Sequence, residues 1–392
     1  MSRFKYRVSA LLIGISVSIV ATSGAEAARE KSLYDFTATN GDGSLPLGDL
    51  IGDSRGNVYG VTAFGGPTQS GTIFKINRHG AETVLYTFGI YDGANPRGGL
   101  LMDAKGDLYG TTSSGGPSAY GVVFKLSRTL QYLVLYSFTG GVDGAGPSGS
   151  LIKDVGDNLY GVTQWGGAKC DCGTVFKITP HGRKKTLYSF GGETDGYNPI
   201  DGLVLGADGA LYGTTERGGD ASCLCGTVFK LSAEGAKTTL HTFIGGNDGY
   251  LPTGQLVTDG NGNLYGVTAA GGRRDNAGTI YRIDTSGNIK ILHAFTDLTG
   301  KDGYSPNGRL ILDDLGHLYG TTSRGGPYDA GTVFEIDASG KERVLYSFTG
   351  GTDGYEPMAG MVDMGDSFEG TTFQGGVYQE GNIFRLKKRN AK

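Results

Sequence analysis

The chain has 392 residues, of which 72 are glycine and 38% are hydrophobic, and its formal net charge is −4. Glycine is more than twice as frequent as the usual 7% or so but does not recur every third residue, which excludes a collagen-like chain and predicts a folded protein with many tight turns. The negative net charge argues against nucleic acid as a partner, because binding phosphate requires a basic surface.

The first 27 residues have the pattern of a secretory signal peptide. Basic Arg3, Lys5 and Arg7 precede an apolar stretch over 8–21, and residues 25–27 (Ala-Glu-Ala) match a cleavage site. The apolar stretch is too short for a comfortable membrane span, and no later segment is long enough, so we expect no transmembrane segment. Removing residues 1–27 takes away three positive charges and one negative charge, which changes the net charge from −4 to −6.

Residues 28–387 are predicted to consist of seven repeats of about 50 residues. A Leu-Tyr-Gly motif, sometimes varied, recurs at intervals of 49 to 54 residues. Its aromatic residues are Tyr59, Tyr109, Tyr160, Tyr212, Tyr265, Tyr319 and Phe368. A period of this length predicts a solenoid or a propeller.

Each repeat contains four short apolar runs separated by glycine-rich turns. In the second repeat the runs lie at 99–103, 107–112, 121–126 and 132–138. Runs of five to seven residues rich in β-formers favour strands, and four strands per unit is the composition of a propeller blade. No segment shows a helical period, so an all-β fold is predicted.

The chain ends indicate that the repeats close into a ring. The seventh repeat stops after residue 386 without its fourth run, and Leu33–Phe36 matches the missing run. A closed ring can use this strand to complete the last blade, which leaves no unpaired edge there. We therefore predict a single closed seven-bladed β-propeller of four antiparallel strands per blade. Residues 388–392 are predicted to form a basic, solvated tail.

The repeat resembles the GloVer tandem-repeat family of exported bacterial proteins. The resemblance rests on the Leu-Tyr-Ser-Phe and Gly-Gly-x-Asp-Gly patterns over 345–354 and on Leu-Tyr-Gly-Thr-Thr over 318–322. It implies an exported protein, periplasmic, extracellular or on the cell surface of a bacterium. It implies no particular enzymatic activity.

An Asp-Gly pair follows the fourth run of every repeat. The aspartates are Asp42, Asp92, Asp143, Asp195, Asp248, Asp302 and Asp353. We predict that each carboxylate caps backbone N–H groups of its own turn, while glycine supplies a positive φ. The alternative is one Ca²⁺ ion per loop, but each loop offers few further carboxylates. No cofactor is therefore predicted. The Thr that closes each second run is predicted to be a hydrogen-bonding part of the scaffold.

Candidate ligand-binding residues are those that break the repeat on one face. In a propeller the loops between strands 4 and 1 and between strands 2 and 3 share a face around the channel. The candidates there are Trp165, Glu216, Arg217, Arg324, Tyr197, Tyr250, Tyr304 and Tyr355. Aromatic rings stack on sugars and charged groups hold hydroxyls or uronates, so a carbohydrate ligand is predicted. Alternatively, the tyrosines only pack against neighbouring loops.

Three functions remain open from the sequence. The first is a non-catalytic, monomeric binding or interaction module for a polysaccharide or a protein. The second is a polysaccharide-degrading lyase or glycosidase that uses Glu216 and Arg217. The third is a purely structural surface protein. No histidine is predicted on the loop-rich face, since His241 and His293 fall at the outer edge; a Ser-His-Asp triad or a histidine zinc site is therefore not expected on that face.

The four cysteines form two Cys-x-Cys pairs at matching places in adjacent repeats. They are Cys170, Cys172, Cys223 and Cys225. Export favours disulfides, which join either adjacent loops or the two cysteines of each pair. A four-cysteine metal site is the alternative, but the pairs lack the two-residue spacer usual for zinc. No metal site is predicted.

Overall fold

The computed structural model describes residues 30–272, 276–296 and 302–388. These residues form seven four-stranded antiparallel sheets arranged in a ring, so the predicted seven-bladed propeller is confirmed. The predicted signal peptide and residues 389–392 of the tail lie outside the described residues. Within the described ranges, no helix has the length and hydropathy needed to span a membrane.

The strands of each blade are labelled A to D from the channel outward. Blade 1 contains Ile51–Gly52, Val58–Thr62, Thr72–Ile76 and Glu82–Thr87; blade 2 contains Leu101–Met102, Leu108–Thr112, Val122–Leu126 and Tyr132–Ser137; blade 3 contains Ala145–Lys153, Leu159–Trp165, Thr174–Ile178 and Lys184–Ser189; blade 4 contains Val204–Leu205, Leu211–Thr215, Thr227–Leu231 and Lys237–Thr242. Blade 5 contains Tyr250–Thr258, Leu264–Ala270, Thr279–Ile283 and Ile289–Ala294; blade 6 contains Gly303–Leu312, Leu318–Gly325, Thr332–Ile336 and Glu342–Ser347; blade 7 contains Val362–Asp363, Ser367–Thr372, Asn382–Lys387 and Glu30–Asp35. A short strand pair joins Gly43–Ser44 to Phe64–Gly65, and a 3-10 turn spans Gly246–Asp248.

The N-terminal strand completes blade 7, as the chain ends predict. Glu30–Asp35 pairs antiparallel with Asn382–Lys387, with Glu30 opposite Leu386. The Phe36 N–H continues the ladder by donating to the Gly381 carbonyl at 3.1 Å. The first and last strands therefore hold the ring together.

The core lies between neighbouring blades and repeats one aromatic contact. Each strand D is followed by a buried phenylalanine that packs edge-to-face on the ring of strand C in the next blade, with centroids 5.1–5.3 Å apart. The pairs are Phe36–Phe74, Phe88–Phe124, Phe138–Phe176, Phe190–Phe229, Phe243–Tyr281, Phe295–Phe334 and Phe348–Phe384. The ring of strand C also covers the glycine of Leu-Tyr-Gly: a Cβ on Gly60 would lie 2.6 Å from Phe74 Cζ. Burial of these rings is the main force holding blade to blade.

The aspartates of the Asp-Gly pairs act as turn caps, as predicted. Asp143 accepts hydrogen bonds from the Thr139 N–H at 3.0 Å and from its hydroxyl at 2.6 Å. Asp353 makes the same contacts with Thr349 at 2.8 and 2.6 Å. The threonine that closes strand B also has its predicted structural role, since Thr163 Oγ1 lies 2.8 Å from Thr174 Oγ1 on strand C.

A second contact between blades lies at the outer rim, and we call it the rim triad. It comprises the Tyr or His of strand D, the Asp of the following Asp-Gly pair, and the first residue of strand D in the next blade. In one triad the Tyr188 hydroxyl donates to Asp195 at 2.7 Å, and Lys237 Nζ lies 3.0 Å from the same carboxylate. The lysine offsets the charge of the aspartate there.

Three rim triads have a glutamate (Glu82, Glu30 or Glu342) at the position where two others have lysine. Glu82 Oε2 accepts from the Tyr34 hydroxyl at 3.2 Å, and that hydroxyl also lies 3.0 Å from Asp42 Oδ2. Burial, reinforced by the charge of Asp42, raises the pKa of Glu82 to about 7. Burial and the charge of Asp353 likewise raise the pKa of Glu30 to about 7. The titratable groups that face these glutamates are Tyr34 and Asp42 around Glu82, and Asp353, Tyr346 and Asp35 around Glu30.

These two glutamates should make the fold more stable in mild acid than in base. Their folded pKa of about 7 exceeds the ordinary 4.5, so the folded state binds more protons across that interval. The stabilisation is complete below pH 4.5 and is lost as the pH rises to about 7. Because both side chains are partly exposed, we expect only about 1 kcal/mol from each.

Urea denaturation at about pH 5 and about pH 8 measures this effect. The double variant Glu30→Gln, Glu82→Gln should remove about 2 kcal/mol of the difference between the two pH values. Glu193→Gln, which changes an exposed glutamate, is the control and should leave the difference unchanged. An unaltered pH dependence in the double variant would show that neither glutamate holds a proton in the folded state.

Candidate functional site

The central channel opens into a cavity of about 360 Å³ on the face that carries the A–D and B–C loops. All seven blades contribute lining residues from the segment where strand A begins. That segment has the pattern Pro-x-Gly-x-Leu, as in 252–256, and its two variable positions differ from blade to blade. Two residues that directly follow the strand-B threonine, Gln164 and Glu216, complete the lining.

Five charged side chains line this channel cavity. Asp49 belongs to blade 1, Arg97 to blade 2, Asp201 and Glu216 to blade 4, and Arg309 to blade 6. Three carboxylates and two guanidinium groups therefore surround a space large enough for a small ligand. A mixture of charges of this kind offers both acceptors and fixed donor forks to a polar molecule.

Asp201 departs from the repeat and has a perturbed carboxyl group. It stands where five blades have glycine and blade 7 has Ala359. Its Oδ2 is buried and has no hydrogen-bond partner among the described residues. Burial, and after it the charge of Asp49, raises the pKa of Asp201 to about 7, while a hydrogen bond from the Gly254 N–H opposes the shift.

Two amide side chains make hydrogen bonds in the cavity wall, and one of them, Gln255, has an unpaired acceptor. The Gln255 Nε2 group donates to the Leu203 carbonyl at 2.5 Å, and Gln255 Oε1 is buried without a partner in the described part of the chain. Asn198 Nδ2 donates to Glu216 Oε2 and so fixes that carboxylate. Asp201 Oδ2 and Gln255 Oε1 are thus two acceptors that a bound hydroxyl group could satisfy.

A second cavity of about 730 Å³ lies between blades 2 and 3 on the same face. Its lining includes three exposed apolar side chains, Trp165 (45% exposed), Tyr120 (47%) and Val142 (70%). The Trp165 ring rests on Gly146, where a Cβ would lie 2.6 Å from Trp165 Cε3. We call this surface the aromatic shelf.

The channel cavity and the aromatic shelf are separated by a single strand. Gln164 lines the channel cavity, and Trp165, the next residue of strand B in blade 3, lines the shelf. Successive side chains of a strand point to opposite faces, so one strand end serves both cavities.

Of the ligand-binding residues predicted from the sequence, some line a cavity and others do not. Glu216 lines the channel cavity and Trp165 lines the shelf. Arg217 is exposed, and its carbonyl accepts from the Tyr197 N–H at 2.9 Å. Neither Arg217 nor Tyr197 lines either cavity.

The remaining predicted residues are engaged within the rim of loops. Arg324 pairs with Glu356, and its guanidinium lies 5.1 Å from the centroid of the Tyr355 ring. Tyr250 accepts a hydrogen bond from Asn276 Nδ2 at 2.9 Å. Tyr304, like the other three tyrosines, is partly buried and pairs its backbone with the residue two after the strand-B threonine. These contacts agree with the alternative that the tyrosines pack against neighbouring loops.

Sequence reasoning missed Asp49, Arg97, Asp201 and Arg309. It considered only the loops, whereas these residues belong to the start of strand A. The usable signal was the pattern Pro-x-Gly-x-Leu: Asp49, Arg97 and Arg309 occupy its variable positions, and Asp201 replaces its glycine.

The four cysteines lie in the B–C loops of blades 3 and 4. Each pair is joined within its own loop, as Cys170–Cys172 and Cys223–Cys225. Among the alternatives from sequence, the structure therefore has closed Cys-x-Cys pairs and neither a link between blades nor a set of free thiolates for a metal. The first of these loops stands beside the shelf, since Asp171 lines it.

Solved structures match this chain at low sequence identity. The extracellular domain assigned to a hybrid two component system of B. thetaiotaomicron matches with a TM-score of 0.60 and 14% identity, over 93% of this chain and 43% of that chain. This chain thus spans less than half of that one. A protein of Bacteroides uniformis assigned as a 6-phosphogluconolactonase matches with a TM-score of 0.49 and 17% identity, over 76% of this chain and 83% of that chain. No curated protein matches the sequence.

The repeat itself is recognised by a family model. The Gloeobacter/Verrucomicrobia repeat matches residues 20–157 and 131–315, which together are more than half of the chain. This match confirms the resemblance drawn from the Leu-Tyr-Gly and Asp-Gly motifs. The chain belongs to the Gloeobacter/Verrucomicrobia repeat family.

Proposed function

We propose that the protein is an exported binding module that holds a carbohydrate at the mouth of its central channel. The supporting observation is the channel cavity, where charged and amide side chains of six of the seven blades converge at positions at which the repeat varies. The scaffold residues repeat from blade to blade, whereas the lining residues do not. Such a pattern is typical of a site placed on a symmetric frame.

The chemistry of the cavity suits a molecule with many hydroxyl groups. Sugar hydroxyls can donate to Asp201 Oδ2 and Gln255 Oε1, which lack partners among the described residues. Arg97 and Arg309 can donate to hydroxyl oxygens or to a uronate. A further sugar ring can stack on Trp165 across the strand end that separates the cavity from the shelf. An oligosaccharide therefore fits better than a monosaccharide.

Variants that restore the repeat provide a test with little risk to folding. Asp201→Gly introduces the residue found in five other blades, and Trp165→Ser introduces the residue of blade 2, Ser114. A glycan at a hundredfold excess over its Kd should raise the stability of the native protein by about 2.7 kcal/mol, seen as a higher Tm. Asp201→Gly should weaken binding by roughly tenfold, because a buried hydrogen bond to a charged group is lost. Trp165→Ser should weaken it by about 1 kcal/mol.

The measurement is Tm against a panel of neutral and uronate-containing polysaccharides, followed by titration of the glycan that shifts it. The exported protein is used, and its first residue, expected near Ala28, is determined beforehand. Arg217→Ala is the matched control, since Arg217 lines neither cavity. The proposal fails if no glycan shifts Tm, or if Arg217→Ala weakens binding while Asp201→Gly does not.

An enzymatic role is the second candidate, and one observation favours it. A carboxyl group with a pKa of about 7 beside a second carboxylate can exchange protons near neutral pH, and Asp201 and Glu216 provide that pair. In this case the exported protein should release reducing sugar or unsaturated product from the glycan that it binds. Glu216→Gln should then abolish release while leaving most of the binding, which separates the two candidates.

A further inference from the structure

One rim triad differs from the other six in its chemistry. Between blades 5 and 6 it consists of His293 on strand D, Asp302 of the Asp-Gly pair, and Glu342, the first residue of the next strand D. One ligand atom from each side chain lies within 4.8 Å of the other two. His293 Nε2 is 3.8 Å from Asp302 Oδ2 and 3.9 Å from Glu342 Oε2.

Two polar atoms of this triad are unpaired in the described part of the chain. His293 Nε2 and Glu342 Oε1 are both buried, and neither makes a hydrogen bond within the described ranges. No Lys or Arg of those ranges forms an ion pair with Asp302 or Glu342. Two carboxyl groups therefore face each other and an imidazole with no lysine or arginine of the described ranges beside them. Such an arrangement costs free energy unless a proton or a metal ion joins the two carboxyl groups.

None of the other six triads has this combination of residues. In the preceding triad His241 lies 3.1 Å from Asp248, but the third position is Ile289. The other two triads with a third-position glutamate, Glu82 and Glu30, have tyrosine in place of histidine. Of the seven triads, this one alone combines an imidazole with two carboxylates.

We propose that His293, Asp302 and Glu342 bind a zinc ion that links blade 5 to blade 6. Imidazole nitrogen and carboxylate oxygen are ordinary zinc ligands, at about 2.0–2.2 Å from the metal. Two ligands of a tetrahedral zinc ion lie about 3.4 Å apart, so the two histidine–carboxylate separations need to contract by only about 0.5 Å. The ion compensates both carboxylates, and water can supply the fourth ligand.

His317 also lies near two carboxylates, but there an arginine pairs with one of them. His317 Nδ1 lies 3.3 Å from Asp313 and 3.6 Å from Glu335. There Arg343 pairs with Glu335 and already supplies the positive charge. No equivalent arginine or lysine pairs with the proposed site among residues 30–272, 276–296 and 302–388, which is why zinc is assigned to His293 and not to His317.

Titration of the full protein with zinc chloride tests the proposal. The wild type should bind one zinc ion per chain, and its Tm should be higher with zinc than with a chelator. His293→Tyr, which introduces the residue of five other triads, and Glu342→Gln should each weaken binding by at least about tenfold, since even outer-sphere partners of a metal contribute that much. Both variants should also lose the difference in Tm.

The neighbouring triad supplies matched controls. His241→Tyr should leave zinc affinity and stoichiometry unchanged. Ile289→Glu should complete a second site with His241 and Asp248 and raise the stoichiometry from one to two. The proposal is overturned if the wild type binds no zinc at about 100 µM, if His293→Tyr binds as the wild type does, or if Ile289→Glu still binds a single ion.

Discussion

Deletion of residues 30–36 should lower the free energy of unfolding by at least about 5 kcal/mol. The deletion removes strand D of blade 7, which pairs with Asn382–Lys387, and the ring of Phe36, which packs on Phe74 of blade 1. Loss of a buried phenylalanine side chain alone costs about 3–5 kcal/mol. The deletion also exposes the edge of strand C, which invites pairing between chains. Urea denaturation and the concentration dependence of aggregation measure the two effects.

A circular permutation distinguishes loss of the strand from loss of ring closure. In blade 1 a five-residue turn, 77–81, connects Ile76 to Glu82 as opposite residues of strands C and D. Leu386 and Glu30 stand opposite each other in the same way in blade 7. The permuted chain starts at residue 37, runs to Leu386, and is then joined by a copy of 77–81 to residues 30–36. Its free energy of unfolding should therefore return to within about 1 kcal/mol of the wild-type value. If the deletion itself costs less than about 1 kcal/mol, the closing strand does not hold the ring.

Gly308→Ala should destabilise the propeller by about 3 kcal/mol. Around the channel the A strands approach each other so closely that a Cβ on Gly308 would lie 2.2 Å from the Gly360 nitrogen. The contact is with backbone, so it can relax only if the neighbouring blade moves. Gly308 also has a φ of +72°, which costs a side chain about 1–2 kcal/mol. Denaturant unfolding of the variant measures the loss.

Gly260→Ala is the matched control for this substitution. Gly260 lies in an exposed turn of blade 5, a Cβ there would meet nothing within 4 Å, and its φ is outside the left-handed region. Alanine should be neutral or stabilise by up to about 1 kcal/mol, through the unfolded state. Equal effects of the two substitutions would show that close approach of the A strands does not restrict the residue at 308.

A difference in backbone conformation accounts for Asp201 in the ring. In blades 3, 5 and 6 strand A has nine or ten residues, and the glycine of Pro-x-Gly-x-Leu has a left-handed backbone, as in Gly149, Gly254 and Gly308. In blade 4 strand A has two residues, and Asp201 occupies the corresponding position without a positive φ. The backbone of blade 4 therefore does not require glycine at this position, which permits a residue with a side chain there.

The sequence by itself determined the number of blades, the four strands in each and the closure by Leu33–Phe36. These features depend on local patterns, namely apolar runs, glycine turns and the missing last run, and each is readable within about 50 residues. The capping role of the Asp-Gly aspartates was predictable for the same reason, since donor and acceptor lie within six residues of each other.

Only the tertiary structure decided which side chains meet. Asp49 and Asp201 are separated by three blades in sequence and face the same cavity, because the ring brings equivalent positions of all blades to one axis. The rim triad of His293 and Glu342 joins two blades, and each residue alone is an ordinary variation of the repeat. The period of a repeat specifies where a position lies, but the chemistry of a site depends on what the neighbouring blades place beside it.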